Sequence, residues 1–295
     1  MNPSPFNHPS TAALIALALA EDQVHHDVTS LALVPSGAQA EAMLEVREAG
    51  VLCGLPLLET HSPLMLAFPT LRAEPLVPEG TRCLGPCDAV RVYGSAREIL
   101  AAERTLLNFL QRLSGIATAT ARCVDALRGS VTRVQETRKT CPGWRLLDKY
   151  AVFIGGGLNH RESLADQVLI KENHVSFCGN RSDPAACVVA LRRAKDHWPQ
   201  LPVEVEVESE EQFRALLPEA PQVVMLDGFS LDAVRRCVAL RNSTATNVLL
   251  EVSGGVTLET LAAIGSTGVD RVSIGALTHS VKAMDLALKI RAPQA

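Results

Sequence analysis

The chain has 295 residues, of which 47% are hydrophobic and 20% are charged, a composition that supports a large packed core and excludes a disordered chain. Its net charge of -4, from 28 basic and 32 acidic residues, excludes the broad basic face that non-specific nucleic-acid binding needs. A small anionic substrate is compatible with this charge, because a pocket needs only a local cluster of Arg and Lys.

The first predicted element is an apolar helix at Thr11–Ala20, which is about half as long as a membrane-spanning helix. Glu21 and Asp22 follow at once and no Lys or Arg precedes it, so neither a signal peptide nor a membrane partner is predicted. We interpret the segment as a buried amphipathic helix capped by Ser10 or Thr11. The cysteines are scattered without a C-x-x-C pair, which indicates reduced thiols, no structural zinc and a cytoplasmic protein.

The rest of the first third combines strands with one helix. Strand-like runs are predicted at Ala40–Arg47, Thr70–Leu76 and Ala89–Tyr93, with Gly and Pro residues between them. A helical stretch at Leu55–Leu66 interrupts the strands. This order predicts an α+β domain.

A long helical pattern comes next. Ser95 and Glu98 have the spacing of a capping box, in which the two side chains satisfy free backbone N–H groups at a helix start. Leucines then recur with helical period as far as Gly115, where we predict that this helix ends and a second one begins, reaching about Arg128. Arg104 falls on the flank of the apolar stripe, so it could project toward another domain or a partner.

From Val131 onward, apolar strands alternate with segments of helical length. This alternation predicts right-handed crossovers and a parallel sheet, and about six such units favour a barrel over a doubly wound sheet. No Gly-x-Gly-x-x-Gly motif follows the first strand, which argues against a dinucleotide-binding fold. The predicted strands are Val131–Glu136, Gln167–Ile170, Val203–Val207, Val223–Leu226, Val248–Val252 and Arg271–Ile274.

Charged residues gather where these strands end. Arg138 and Lys139 follow the first strand, Lys171 follows the second, and Asp227 follows the fourth. The carboxyl ends of the strands build the active site of an α/β barrel. The pattern therefore predicts a charged site at this end of the barrel.

The third strand alternates valine with glutamate, which puts Glu204, Glu206 and Glu208 on one face. Parallel barrel strands are buried on both faces, so these carboxylates need cationic or metal partners, because an unpaired buried charge is strongly destabilising. The expected partners are the cations at the other strand ends, Arg138, Lys139 and Lys171.

Glycine-containing turns follow the last two strands, at Ser253-Gly254-Gly255 and at Gly275. Loops in this position often hold a phosphate through backbone N–H groups that only glycine lets approach closely. With the basic residues nearby, the two turns predict a polyanionic substrate, whose carboxylates or phosphates Arg would bind with its planar fork.

Several short motifs occur together along nearly the whole chain, and the run from Thr137 to His174 is the most specific. They are Glu103-Arg-Thr-Leu-Leu-Asn108, Leu113-Ser-Gly-Ile-Ala117, Thr137-Arg-Lys-Thr140, Gly155-Gly-Gly-Leu-Asn-His-Arg161, Leu169-Ile-Lys-Glu-Asn-His174, Glu204-Val-Glu-Val-Glu208, Ser253-Gly-Gly255 and Ser273-Ile-Gly-Ala-Leu-Thr-His-Ser280. In these motifs the chain resembles the quinolinate phosphoribosyltransferases, the carboxylating nicotinate-nucleotide pyrophosphorylases.

The resemblance implies an activity and an architecture. The activity is transfer of a phosphoribosyl group from 5-phosphoribosyl 1-diphosphate to quinolinate, with decarboxylation, giving nicotinate mononucleotide for NAD biosynthesis; Mg²⁺ would arrive with the diphosphate. The architecture is an N-terminal α+β open-sheet domain (residues 1–115), an incomplete α/β barrel of the type II phosphoribosyltransferase kind (116–276), and a C-terminal helix (277–295) packed on the first domain. A homodimer, or a higher assembly built from it, is also implied.

The resemblance further assigns roles to the charged and glycine residues. Quinolinate would be held by Arg138, His160, Arg161 and Lys171, with Arg104 donated by the partner subunit. Lys139, Glu206 and Asp227 would serve the ribose, the pyrophosphate and its Mg²⁺, the two carboxylates as metal ligands, directly or through water. Ser253, Gly254 and Gly275 would cradle the 5′-phosphate. Lys139, Lys171, Glu206 and Asp227 would be the catalytic residues.

Some residues depart from the family pattern or have a structural interpretation. His26 replaces a usual Gly, Glu172 a frequent Asp, and Gly228 a common Asn beside Asp227, where a lost side chain could loosen ribose or metal contacts. Structural roles are expected for a further set: His174 and His279 as cap or packing residues, Arg145 and Lys149 as solvated helix charges, and Cys141 as a spacer.

Three other functions stay open, one within the family that the chain resembles and two of other classes. A homologous pyrophosphorylase associated with molybdenum transport would share the fold. A Schiff-base lyase would use a desolvated Lys171 as an imine-forming amine. A non-catalytic barrel would not bind phosphoribosyl diphosphate, and the charged strand ends argue against it.

Overall fold

The structure is a computed structural model that describes residues 4–244 and 247–291. Its helices are α1 (Pro9–Glu21), α2 (Val28–Leu33), α3 (Pro63–Leu66), α4 (Ala96–Ala126), α5 (Arg145–Ile154), α6 (Glu172–Val175), α7 (Pro184–His197), α8 (Glu210–Leu216), α9 (Leu231–Thr244), α10 (Leu258–Gly265) and α11 (Ala276–His279). Its strands are β1 (Gln39–Val46), β2 (Gly50–Val51), β3 (Arg72–Pro75), β4 (Arg82–Cys83), β5 (Cys87–Ser95), β6 (Arg133–Gln135), β7 (Val168–Ile170), β8 (Val203–Val207), β9 (Val223–Asp227), β10 (Leu249–Ser253), β11 (Arg271–Ser273) and β12 (Leu286–Arg291).

The chain divides into two compact units. The first comprises the described residues up to Ala121, Lys139–Gly156 and the described residues from Ala276 onward, and the second comprises Arg122–Arg138 and Gly157–Gly275. Lys139–Gly156, which the sequence-based division placed in the barrel domain, is thus assigned to the first unit.

An antiparallel sheet with strand order β12-β1-β5-β3 forms the centre of the first unit. All three strands predicted in this part of the chain are present, as β1, β3 and β5. The middle strand β1 buries Met43, Leu44 and Val46 because it pairs along its length with β5 on one side and β12 on the other. The predicted α+β domain is therefore confirmed.

The predicted C-terminal helix at 277–295 is wrong. Residues 276–279 form the short helix α11, and Leu286–Arg291 form the edge strand β12, which pairs antiparallel with β1. Burial alternates along this strand, since Leu286 and Leu288 are buried whereas Lys289 is exposed. Its apolar residues repeat with period two, so the strand conformation buries them on one face. Residues 292–295 of the predicted helix lie outside the described part of the chain.

Helix α4 is continuous through Gly115, so the predicted break at that residue is wrong. A Cβ at Gly115 would lie 2.2 Å from the carbonyl oxygen of Lys282. The glycine therefore allows the C-terminal segment to approach the helix closely instead of ending the helix. The predicted helix start is correct, although the Glu98 carboxylate accepts hydrogen bonds from Thr70, at 3.0 Å from its backbone N and 2.7 Å from its hydroxyl.

The first helix differs from its prediction in its cap and its burial. His8 is the N-cap, and its Nδ1 accepts from the Ser10 backbone N–H at 3.2 Å, so neither Ser10 nor Thr11 caps it. Only Thr11 and Ile15 are buried along α1 within this chain. Within the described residues, no helix combines the length and the apolar character needed to cross a bilayer.

The predicted helix at Leu55–Leu66 is present only in part. Leu55–Leu58 form a 3-10 turn, and α3 begins at Pro63 with the Ser62 hydroxyl accepting from the Met65 backbone N–H at 3.1 Å. Proline lacks the backbone N–H that a residue inside a continuous helix donates. Pro63 therefore begins a new helix and does not continue the turn at Leu55–Leu58.

The second unit is built on a six-stranded parallel sheet with strand order β6-β11-β10-β9-β8-β7. All six predicted strands are present. Strands β7 to β11 lie in chain order and β6 returns to the far edge beside β11, which is the order of a barrel. Since β6 and β7 are both edge strands of this sheet, the barrel is left open between them. This confirms the expected incomplete α/β barrel.

Candidate active site

The carboxyl ends of the six parallel strands bring the predicted site residues of the second unit to one edge of the sheet. Arg138 follows β6, Lys171 follows β7, and Gly275 follows β11. Glu206 lies within β8, and Asp227 and Ser253 end β9 and β10 in register with each other. This shared edge is where the C-terminal face of a barrel would place reacting groups.

Arg138 and Arg161 form a pair of neighbouring cations. Both are half-buried, and the Nε atom of Arg138 is buried with no hydrogen-bond partner. Burial and the charge of Arg138 both lower the pKa of the Arg161 guanidinium. Two like charges held together with an unused donor are stabilised by an anion, and a dianion would neutralise both.

Lys171 and Glu206 form an ion pair at the ends of β7 and β8. The Glu206 side chain is 9% exposed whereas that of Lys171 is 44% exposed. Burial raises the pKa of Glu206, the Lys171 ammonium opposes this, and the charge of Asp227 adds to it. Lys171 was an expected partner of these strand carboxylates, and the pairing confirms that expectation.

Helix α6 starts directly after Lys171. The ring Nδ1 of His174 accepts the Lys171 backbone N–H at 3.0 Å, which confirms the predicted capping role of His174. The other cap candidate, His279, ends α11 and contacts the Ser280 hydroxyl at 2.7 Å.

Glu204 is paired differently from the expectation. It is 1% exposed, and its Oε2 lies 3.2 Å from His160 Nε2 and 2.6 Å from Gln167 Nε2. The expected cations Arg138 and Lys139 do not supply these contacts, which come from His160 and Gln167 in the segment between α5 and β7. The sequence analysis treated His160 only as a possible substrate ligand and did not single out Gln167.

A buried polar cluster lies behind His160. His160 Nε2 is 3.9 Å from Glu251 Oε1, and the His160 backbone N–H donates to Glu136 Oε2 at 3.0 Å. Glu251 in turn accepts hydrogen bonds from Gln135 and Ser273. Burial raises the pKa of Glu251 to about 7, and the charge of Glu204 acts in the same direction. Side-chain atoms that could coordinate a metal ion come together here. Within the described residues, His160, Glu204 and Glu251 are the set of His, Cys, Asp or Glu side chains whose potential ligand atoms lie within 4.8 Å of one another.

Sequence reasoning missed Glu251, although a signal was present. It is a single glutamate inside an apolar strand that a barrel buries on both faces. The same reasoning had been applied to Glu204 and could have been extended to β10.

The glycine turn after β10 has an unusual backbone conformation. Gly254 and Gly255 have φ angles of +89° and +62°, and a Cβ on Gly254 would lie 3.0 Å from Asp227 Oδ1. Successive backbone N–H groups in such a turn form a concave anion site. Gly228 also has a positive φ of +68°, which glycine and asparagine both tolerate, so replacing the family's common Asn preserves this backbone.

The remaining predicted residues lie in the first unit. Arg104 is exposed on α4, and Lys139 is exposed with its carbonyl oxygen accepting the Thr278 hydroxyl at 2.9 Å. Lys149 is only 4% exposed, so its prediction as a solvated charge is wrong, because α5 buries residues around most of its circumference. Arg145 is half-buried, with its Nε 3.3 Å from the Thr140 hydroxyl.

Arg112 and Asp148 support the segment that carries Lys139. Asp148 is fully buried and accepts a bidentate hydrogen bond from Arg112 at 3.0 and 2.8 Å. Arg112 also donates to the Thr278 carbonyl at 3.2 Å and stacks over Trp144, 5.2 Å from its ring centroid. Bidentate pairing of this kind fixes both side chains, and nothing in the sequence pattern had indicated it.

Comparison with known proteins gives relatives over most of the chain. The family profile described as quinolinate phosphoribosyl transferase, N-terminal domain, matches residues 27–114, and the C-terminal domain profile matches residues 116–289. A carboxylating nicotinate-nucleotide pyrophosphorylase of Mycobacterium leprae is 42% identical over 264 residues, covering 90% of this chain and 91% of that protein. The chloroplastic enzyme of that name from Oryza sativa subsp. japonica is 41% identical over 305 residues, covering 97% and 80%. The solved nicotinate-nucleotide pyrophosphorylase of Francisella tularensis superposes with a TM-score of 0.88 at 33% identity, covering 99% of this chain and 100% of that chain.

Proposed function

This chain belongs to the quinolinate phosphoribosyltransferase family, and from that premise we propose that it transfers the phosphoribosyl group of 5-phosphoribosyl 1-diphosphate to quinolinate. Carbon dioxide and pyrophosphate leave, and nicotinate mononucleotide for NAD biosynthesis is formed. The observation that carries the proposal is the Arg138–Arg161 pair, because two adjacent guanidiniums with an unused buried donor suit a compact dicarboxylate.

The pocket residues orient the acceptor. In the proposal, Arg138, His160, Arg161 and Lys171 line the quinolinate site. Each charge-assisted contact to a carboxylate is worth about 1.5–3 kcal/mol, so several of them fix the ring with its nitrogen toward the ribose. After the new N–C bond forms, the bond between the ring and the adjacent carboxylate breaks and carbon dioxide leaves. The bonding electron pair stays on the ring carbon, where the positive pyridinium nitrogen stabilises it, and a proton from solvent then takes the vacated position.

The strand carboxylates serve the donor. Departure of pyrophosphate leaves positive charge on the ribose, which Glu206 and Asp227 would stabilise as fixed negative groups. The turn at Ser253 and Gly254, with Gly275, would hold the 5′-phosphate, since its backbone can approach an anion closely. Lys139 would contact the pyrophosphate as a cation.

Glu206 and Asp227 are also suitable Mg²⁺ ligands. Their oxygen donors are of the type Mg²⁺ prefers, and the charge of Asp227 raises the pKa of Glu206, a repulsion that a shared cation would relieve. When bound, Mg²⁺ would neutralise charge on the departing pyrophosphate. Direct or water-mediated ligation is equally compatible with these residues.

The alternatives are less well supported by the site. An imine-forming lysine needs a desolvated neutral amine, whereas the Lys171 ammonium is ion-paired and 44% exposed. A non-catalytic barrel gives no reason for the paired arginines. The pyrophosphorylase associated with molybdenum transport shares the fold, and use of quinolinate as substrate distinguishes the two.

We also propose that the enzyme is a cytoplasmic homodimer in which Arg104 acts in the partner's site. Arg104 is exposed on α4, so it is available to another subunit. Large apolar side chains are exposed on α1 and α2, among them Leu17, Val28 and Leu33. An apolar surface of this kind is typical of a subunit interface.

The function is tested by release of labelled carbon dioxide from carboxyl-labelled quinolinate. We expect release that requires both phosphoribosyl diphosphate and Mg²⁺ and that is matched by pyrophosphate and nicotinate mononucleotide. Release without the diphosphate, or no release with an intact protein, would overturn the proposal. Borohydride reduction in the presence of carbonyl substrates should leave Lys171 unmodified; a covalent adduct would support the lyase instead.

A further inference from the structure

A closed ring of four hydrogen bonds links His160, Arg161, Gln167 and Glu204 in the second unit. His160 Nε2 lies 3.2 Å from Glu204 Oε2, and Gln167 Nε2 donates to the same oxygen at 2.6 Å. The backbone carbonyl oxygen of Gln167 accepts from Arg161 Nη1 at 3.1 Å. The backbone N–H of Arg161 donates to His160 Nδ1 at 2.7 Å, which closes the ring.

The ring engages both nitrogens of His160. Nδ1 accepts a hydrogen bond and is therefore unprotonated, so the proton of a neutral imidazole is on Nε2, directed at Glu204. Burial disfavours the imidazolium, but Glu204, Glu251 and Glu136 favour it, and the net effect raises the pKa of His160. A second proton on Nδ1 would face the Arg161 N–H and open the ring, so the closed ring requires that Nδ1 carry no proton. With a side chain 7% exposed, His160 points its polar atoms into the barrel.

The ring also holds the guanidinium of Arg161. This group lies near the like charge of Arg138, which lowers its pKa and would drive the two apart if the side chain were free. The bond from Nη1 to Gln167 and the bond from the backbone to His160 restrain Arg161 at both ends. Glu204 supplies a compensating negative charge and anchors His160 and Gln167 together.

We propose that Gln167 and Glu204 are positioning residues that hold Arg161 beside Arg138 for dicarboxylate binding, and that His160 acts through the same ring. The inference rests on the proposed function, because Arg161 is a quinolinate ligand only if quinolinate is the substrate. It adds two residues that the family resemblance did not supply. It also gives His160, which lines the same site, a role as a support for Arg161.

A double-mutant cycle separates action through Arg161 from direct binding. Gln167→Met removes the side-chain amide that donates to Glu204 and keeps a side chain of similar volume. It leaves in place the backbone carbonyl oxygen that accepts from Arg161. We expect kcat/KM for quinolinate to fall about tenfold, the loss of roughly one charge-assisted hydrogen bond, with the KM for phosphoribosyl diphosphate within about twofold of wild type. In an Arg161→Ala background, Gln167→Met should have almost no further effect, because residues acting through one group are non-additive.

His160 is tested with two partial mimics. His160→Asn keeps an acceptor near the position of Nδ1, and His160→Gln keeps a donor near the position of Nε2, so each should retain more quinolinate activity than His160→Ala. In the Arg161→Ala background the three variants should converge. If they stay distinct there, His160 binds the substrate directly.

The outcomes distinguish the two proposals. No turnover of quinolinate by the wild-type enzyme would refute the proposed function. Two results would refute the role of the ring and leave the proposed function standing. In the first, the wild type turns over quinolinate and Gln167→Met has the same kcat/KM. In the second, the losses in kcat/KM caused by Gln167→Met and Arg161→Ala multiply in the double variant. Thermal unfolding of each variant checks that it is folded, and Gln167→Asn, which withdraws the same donor by one methylene, replaces any Met variant that is not.

Discussion

The barrel strands of the second unit and the first two helices of the first unit depart from the usual distribution of residues in opposite ways. The second unit buries polar side chains, with Glu136, Glu204 and Glu251 all at most 1% exposed inside the barrel. The first unit exposes apolar ones, with Leu17 at 65% and Val28 at 76%. Buried carboxylates and exposed apolar surface are both unfavourable in an isolated soluble chain. The buried carboxylates are what the proposed ligand site of the second unit would use, and the exposed apolar residues are what the proposed subunit interface of the first unit would cover.

The largest expected effect comes from removing a charge at the strand ends of the second unit. Lys171→Met should lower kcat/KM for quinolinate on the order of a thousandfold, because it removes a cation that a preorganised site aims at the substrate and leaves Glu206 unpaired. Lys171→Arg keeps the charge and is the matched control, expected to retain more activity. Steady-state kinetics with both substrates measures the effect. Equal loss in the two variants would show that the amine itself, and not its charge, is needed.

A smaller effect is expected from the glycine turn. Gly254→Val should raise the KM for phosphoribosyl diphosphate roughly 10- to 100-fold, by blocking contacts from backbone N–H groups to the 5′-phosphate, and should change the KM for quinolinate much less. Gly129→Val is the control, because Gly129 has nearly the same φ, +87°, but open space around it. The two variants should lose similar stability, while only Gly254→Val changes the donor KM. Equal changes in both Michaelis constants would remove Gly254 from the phosphate site.

The buried cluster of the second unit should give stability a distinctive pH dependence. Burial raises the pKa of Glu251 to about 7, against roughly 4.3 in an unfolded chain. Between these two pKa values, the folded state keeps a proton on Glu251 that the unfolded chain has lost. The contribution of Glu251 to the free energy of unfolding is therefore most favourable below the unfolded pKa and is lost as the pH rises toward 7.

Glu251→Gln removes that titration. Compared with wild type, the variant should become relatively more stable as the pH rises from 5 to 8, by a few degrees in Tm. The pH slope of the difference is the readout, since the substitution also changes the hydrogen bonds to Gln135 and Ser273. A difference in Tm that is constant across this range would mean that Glu251 is ionised throughout.

The strands of the barrel could be predicted from the sequence because short apolar runs are local signals, and the charged residues at their ends were visible for the same reason. The alternation around Glu204 even indicated buried carboxylates. Lys171 was among the predicted partners and pairs with Glu206. The partners of Glu204 could not be predicted, since His160 and Gln167 lie in the segment between α5 and β7, whose path no local pattern indicates. The C-terminal helix was implied by the family resemblance, whereas residues Leu286–Arg291 form β12, whose apolar residues repeat with period two.

Two glycines show most clearly what depends on tertiary structure and not on the local sequence. Gly115 was interpreted as a helix end, yet it lies within α4 because the backbone at Lys282 approaches it. Gly254 was interpreted as part of an anion-binding turn, and its φ of +89° agrees with such a turn. The residue type is the same in both cases, and only the tertiary surroundings decide which property of glycine is used.

In the proposed homodimer, Arg104 of one subunit completes the active site of its partner. Arg104→Ala and Lys139→Ala, each inactive alone, should recover activity when their subunits are allowed to exchange. Random pairing makes about half of the dimers mixed, and each mixed dimer has one site with both groups intact, so roughly a quarter of all sites should regain wild-type activity in a two-fold symmetric dimer. Absence of any recovery, with subunit exchange confirmed by mass measurement of tagged chains, would show that Arg104 acts in its own subunit and would contradict the proposed arrangement of the dimer.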